Sequence, residues 1–198
     1  MSKLYGLVVC GGKSSRMGTD KSMLDYHGQP QRYHLCDMLS SLCERVFISC
    51  NEQQSPSIPG QYAVVTDAPE YADAGPMTAV LSAFNAHPNA DFLVVGCDYP
   101  FISKQDLLEL FNVSYDALNT AAFYNSTFSC YEPLLAIYRS DARERLQDNF
   151  KRSRHSLSRF LLDIDASRII PRKSETIKSV DTYEEYAEAK DIIENIDP

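Results

Sequence analysis

Apolar residues along this chain follow two rhythms. The runs LYGLVVC (4–10), RVFISC (45–50), YAVVT (62–66) and DFLVVGC (91–97) predict strands, three of them nearly continuous Val, Ile, Leu and Phe, as in strands covered on both faces. Between them, QRYHLCDMLSSLCE (31–44) and GPMTAVLSAFNAH (75–87) space their apolar residues at helical intervals. Ser103 with Asp106 forms a capping-box pattern that opens KQDLLELF. Strands are predicted at TAAFY (120–124) and EPLLAIYR (132–139), then helices over 141–150 and 156–163 and a short strand near 168–170. Thr182 with Glu185 opens a final helix reaching about residue 195. This alternation predicts a three-layer α/β fold with a mainly parallel sheet. Its 198 residues suit one domain over 1–198, with NEQQSPSIPG (51–60) as a polar loop within it.

In such sheets ligands sit beyond the carboxyl ends of the strands. Here those ends carry Cys10-Gly11-Gly12, Asn51, Asp67 and Cys97-Asp98: a glycine turn, an amide and two carboxylates on one edge. The stretch VVCGGKSSRMGTDKSML (8–24) is no P-loop, because Thr19 and Asp20 stand between the last glycine and Lys21. Nor can G-x-G-x-x-G be laid over Gly11, Gly12 and Gly18. Gly11 and Gly12 let backbone N–H groups approach phosphate oxygens closely. Arg16 and Lys21 can neutralise a polyphosphate, each pairing worth roughly 4 kcal/mol before desolvation. Asp98, followed by Tyr99-Pro100, ends its strand abruptly and is the expected magnesium ligand, since Mg2+ needs few protein carboxylates beside phosphate and water.

Composition narrows the classes. Nineteen basic against 27 acidic residues give a net charge of −8, which argues against non-specific binding to nucleic acid or anionic membranes. No run of about 18 apolar residues and no signal-peptide pattern is present, so a cytoplasmic protein is expected. The six cysteines form no C-x-x-C or zinc pattern; Cys10, Cys50 and Cys97, each ending an apolar run, are expected to be small buried hydrophobes kept reduced. In this acidic chain KRSRHSLSR (151–159) stands out; Arg152 and Arg154 are candidates to receive an anionic substrate, against the plainer reading of a solvated helix start. Tyr131 is a candidate stacking surface.

These residues together resemble a known family. VCGGKSSRMGTDK (9–21), GPMTAVLSAF (75–84) and GCDYPFI (96–102), in that order, are similar to the signature motifs of the MobA-like nucleotidyltransferases, above all its guanylyltransferases of the molybdenum cofactor. The resemblance covers essentially the whole chain and implies a Rossmann-like nucleotidyltransferase fold. It also implies transfer of GMP from GTP to molybdopterin with release of pyrophosphate. By that resemblance Val9, Cys10, Gly11, Gly12, Lys21, Asn51, Asp67 and Asp98 bind the nucleotide. Arg16, Lys21 and Asp98 carry catalysis, Mg2+ is the cofactor, and so labile an acceptor implies handover proteins as partners. The chain departs from the family at Cys10, at Thr78 and Ala79, and at SVDTYEE (179–185), where Ser179 and Asp181 replace asparagines. That last segment is the expected acceptor site with Arg152 and Arg154, and Asp181 can serve as a second metal ligand. A cytidylyltransferase, another phosphorylated acceptor and a non-catalytic nucleotide-binding module are the alternatives.

Overall fold

A computed structural model describes residues 2–10 and 20–196. The unbroken apolar run at residues 90–96 is explained by its place: strand β4 (Ala90–Gly96) is buried along its whole length. It lies between β1 (Lys3–Val9) and β6 (Cys130–Tyr138), with helices over both faces. With β2 (Arg45–Cys50), β3 (Ala63–Thr66), β5 (Ala121–Asn125) and β7 (Ser167–Ile169) these form one seven-stranded sheet, ordered β3-β2-β1-β4-β6-β5-β7. Pairing is parallel from β3 through β4 and between β5 and β7, whereas β6 runs antiparallel to both neighbours. The fold expected from the sequence is the one observed, an α/β sheet of mainly parallel strands.

Side chains alternate across β4. Phe92 and Val94 join the apolar cluster that includes Val80 and Phe84 of α2 (Pro76–Ala86), Leu146 of α4 (Ala142–Lys151) and Phe160 of α5 (Leu157–Asp163). Leu93 and Val95 join the opposite cluster, with Leu35 and Leu39 of α1 (Gln31–Ser40) and Leu107 and Leu110 of α3 (Lys104–Ala117). Period-two burial on both faces is the physical reason these strands read as continuous apolar runs. A last helix, α6 (Tyr183–Ile196), packs through Ala189 on a separate small cluster with Tyr26 and Val180.

Some boundaries differ from the expectation. The helix predicted over 31–44 ends at Ser40, where Leu42 and Cys43 turn their N–H groups back to the Leu39 carbonyl. The helix opened by Ser103 runs on to Ala117 behind the expected capping box and stops where Leu118 turns left-handed. Helix α2 is entered through Gly75, the residue just before it, whose φ of 59° and ψ of −137° suit glycine alone. Among the described residues no helix is long and apolar enough to cross a membrane.

The chain leaves β1 first toward β2 and β3 and returns to the other side of β1 as β4. The strand order therefore reverses between β1 and β4. Ligand crevices in open α/β sheets form at such a reversal, beyond the carboxyl ends of the strands.

Candidate functional site

Hydrogen bonding continues one residue past several strand ends and lines up the expected edge. Cys10 donates its N–H to the Ser49 carbonyl (3.0 Å), Asp67 to that of Cys50 (3.1 Å) and Cys97 to that of Val9 (3.1 Å). Cys10, Asp67 and Cys97 are thereby fixed by the sheet itself, and Asp98 follows directly.

Asp98 lies over Gly96. A Cβ at position 96 would collide with the Asp98 carboxylate and crowd Leu134 Cβ and the Tyr99 ring, both at 3.2 Å. The glycine thus makes the space in which the carboxylate sits. Burial, with nearby Asp181 adding to it, pushes the Asp98 carboxyl up to about 6, while a backbone hydrogen bond and Lys21 oppose the shift. Val180 donates its N–H to the Asp98 carbonyl at 2.8 Å, drawing the C-terminal segment onto the end of β4. Lys21 Nζ then donates to Asp181 Oδ1 at 2.6 Å and to the Val180 carbonyl at 3.3 Å. Residues from three remote parts of the sequence, Lys21, Asp98 and Asp181, converge at the strand-order reversal.

Local chemistry explains why residue 181 stays there. Glu185 Oε2 accepts from the N–H groups of Asp181 (2.7 Å) and Thr182 (2.9 Å), and Thr182 Oγ1 accepts from the Glu185 N–H at 3.2 Å. This reciprocal cap starts α6, and the two donated N–H groups hold the Glu185 carboxyl below its usual range, Asp181's contributing most. Tyr186 anchors the helix from the other side, its hydroxyl donating to the Asp25 carbonyl at 3.2 Å.

The amide at the end of β2 is engaged locally. Asn51 Oδ1 accepts from the Gln54 N–H at 2.9 Å, and Gln54 Oε1 accepts from the Asn51 N–H at 3.2 Å. Gln54 also donates its side-chain amide to Asp20 Oδ2 (2.9 Å) and to the Cys10 carbonyl (3.4 Å). Asp20 in turn caps the short turn at Lys21–Met23 through the Ser22 N–H and hydroxyl. Gln54 and Asp20 are framework residues that the sequence reading did not single out; Asp20, inside the glycine motif, was the legible one. Asp67 is half-buried, and burial raises its carboxyl above the ordinary carboxylate value. Glu132 is another residue the reading missed, accepting from the Tyr99 hydroxyl (3.0 Å) and the Asn125 amide (3.1 Å) beside Asp98.

Gly11, Gly12 and Arg16 lie outside the described residues. Val9 is buried in the sheet, so its side chain belongs to the core and only its backbone faces the edge. Thr78, a departure from the motif, is buried and spends its hydroxyl on the Tyr71 carbonyl at 2.6 Å. Ser179 is half-buried immediately before Val180.

The basic segment forms the turn between α4 and α5. Because β6 is antiparallel, its first residues lie toward the carboxyl end of β4, and Ser158 Oγ donates to the Tyr131 carbonyl there at 3.0 Å. Arg152 and Arg154 are exposed on this turn. Arg154, His155 and Arg159 line a cleft of about 490 Å³ together with Asn149 and Asp163. Lys21, Asp98 and Asp181 do not line it. The stacking role considered for Tyr131 is corrected: the ring is 2 % exposed, its hydroxyl donates to the Ala166 carbonyl at 2.6 Å, and Arg168 lies over it.

Among the described residues no group of three or more His, Cys, Asp or Glu side chains is arranged to hold a metal. Besides Asp67, the described part of the edge brings the Asp98 and Asp181 carboxylates together with the Lys21 ammonium.

Comparison with known proteins places the chain among relatives. The family model described as the MobA-like NTP transferase domain matches residues 6–167. A molybdenum cofactor biosynthesis bifunctional protein of Synechocystis sp. is 29% identical over 189 residues; the match covers 93% of this chain but only 53% of that protein, about half its length. A probable molybdenum cofactor guanylyltransferase of Bacillus cereus is 26% identical, over 98% of this chain and 100% of the relative. A crystal structure of molybdopterin-guanine dinucleotide biosynthesis protein A from Archaeoglobus fulgidus superposes with a TM-score of 0.80 at 17% identity. It covers 96% of this chain and 99% of that one, and shows a shared fold.

Proposed function

Since the chain belongs to the MobA-like NTP transferase family, a family of nucleotidyltransferases, we propose that it transfers GMP from GTP to molybdopterin and releases pyrophosphate. The observation that carries this reading is the convergence of Lys21, Asp98 and Asp181 at the strand-order reversal. The names of the relatives from Synechocystis and Bacillus cereus support the choice of acceptor.

The acceptor's phosphate monoester is ionised near neutral pH, so its in-line attack on the α-phosphorus needs no strong general base. Catalysis is then positioning and charge stabilisation. The backbone at Val9 and Cys10 lies along the nucleotide, Asn51 and Asp67 border it, and Arg16 with Lys21 stabilises the departing pyrophosphate. The Asp98–Asp181 pair fits magnesium: its donors are hard oxygens, and two carboxylates leave positions for phosphate and water. Bound there, the ion would neutralise charge on the phosphate under attack. Asp98's raised carboxyl adds to the fit, because a buried carboxylate with an acidic neighbour is stabilised by a cation. Arg152, Arg154 and Ser179 receive the anionic acceptor.

Calorimetric titration with GTP, CTP, ATP and UTP, with and without magnesium, is the test. Pyrophosphate release should follow when molybdopterin is added. Selective magnesium-dependent GTP binding with turnover is expected. Preference for CTP would reassign the base, binding without turnover would point to a regulatory module, and binding of no nucleotide would sink the reading.

A further inference from the structure

Two cysteines meet at the strand-order reversal. Val9 and Gly96 are register partners on parallel β1 and β4, and Cys10 and Cys97 are the next residues along. The bond from the Cys97 N–H to the Val9 carbonyl carries the pairing one step further. Their sulfurs stand 3.3 Å apart in a thiol–thiol contact. Paired strands lie about 4.8 Å apart, within the Cα separations of roughly 4.4–6.8 Å that a disulfide spans. Both thiols are free, and exposures of 8% at Cys10 and 5% at Cys97 leave access to small molecules only.

We propose that Cys10 and Cys97 form a reversible redox site, closed to an intrachain disulfide by a small peroxide and reopened by thiols. In the first step one cysteine sulfur attacks hydrogen peroxide; an S–O bond forms, the O–O bond breaks, and the released hydroxide leaves as water with the thiol proton. The second sulfur then attacks the first; the S–S bond forms, the S–O bond breaks, and the second thiol proton leaves in another water. Two thiols and one peroxide give one disulfide and two waters. Reducing surroundings keep such a pair open, so the bond forms under oxidative conditions and is reversed by thiols rather than serving as a structural staple. Core packing alone would accept any small apolar residue at position 10 and does not call for a second sulfur against Cys97.

The test uses the full chain, reduced, freed of reductant and treated with hydrogen peroxide in slight molar excess. Free thiols should fall from six to four, the intact mass should fall by two hydrogens, and proteolytic mapping should join Cys10 to Cys97. Dithiothreitol should restore all six. Cys10→Ala and Cys97→Ala should each abolish that link. Mapping the wild-type chain keeps the test decisive even where a variant folds poorly. A link between other cysteines, a link formed only in urea, or six free thiols after treatment of the folded chain would overturn the proposal.

Discussion

At the scale of single residues, Asp98 is the costly one. Its carboxyl titrates near 6 in the fold because burial disfavours the charge, against 3.8 for an ordinary aspartate. Between those two values the folded chain holds a proton that the unfolded chain has released, so stability from this group falls as pH rises through the window. Above pH 6 the full penalty is in force. Asp98→Asn is therefore expected to raise unfolding free energy at pH 7.5 by about 1–3 kcal/mol in urea titration. On the proposed reading turnover should fall by roughly a hundredfold, since the carboxylate that would hold magnesium against the phosphate under attack is lost. Added magnesium should raise the melting temperature of the wild-type chain but not of this variant. Gly75 fails differently. A Cβ there has open space, so Gly75→Ala should cost about 1–3 kcal/mol from backbone strain alone, read in the same titration.

At the scale of elements, the Thr182–Glu185 cap that starts α6 holds Asp181, just ahead of the helix, near the end of β4. Glu185→Ala should cost only about 1 kcal/mol of stability, the price of a cap. It should nevertheless weaken magnesium-dependent GTP binding measurably by calorimetry, because Asp181 loses its seat. Lys21→Met removes the ion pair with Asp181, which is half open to water, so denaturation should shift by no more than about 1 kcal/mol while GTP affinity drops. Both caps, at Ser103 and Thr182, were legible in the sequence because capping needs fixed residue types at fixed spacing. The strand-end residues were legible for a similar reason: an apolar run that stops at a polar residue marks its own end. The direction of β6 was not legible, since an apolar strand reads the same parallel or antiparallel. Asn51's engagement with Gln54 also escaped the pattern, because an amide three residues from another has no periodic signature. Tyr131 was misjudged because exposure depends on β7 and α5, which follow it by dozens of residues.

At the scale of the whole molecule, two opposed titrations act in one pH range. His34 is held near 4 rather than 6.5, chiefly by burial and then by stacked His27, whose ring centroid is 3.9 Å away. Below 6.5 the unfolded chain gains a proton at this position that the folded chain refuses, so stability falls as pH drops toward 4. Asp98 slopes the other way between 6 and 3.8, and the two contributions largely offset. Removing one exposes the other: Asp98→Asn should lose markedly more stability than wild type between pH 7 and pH 4.5 in urea titrations. The convergence of Lys21 with Asp181, 160 positions apart, also has a consequence for biosynthesis. Much of the sheet can assemble while the ribosome is still translating, as chains fold from the N-terminal end. Asp181 is made 160 positions after Lys21, so a nascent chain lacks this ion pair until translation has passed residue 181, however much of the sheet has already formed.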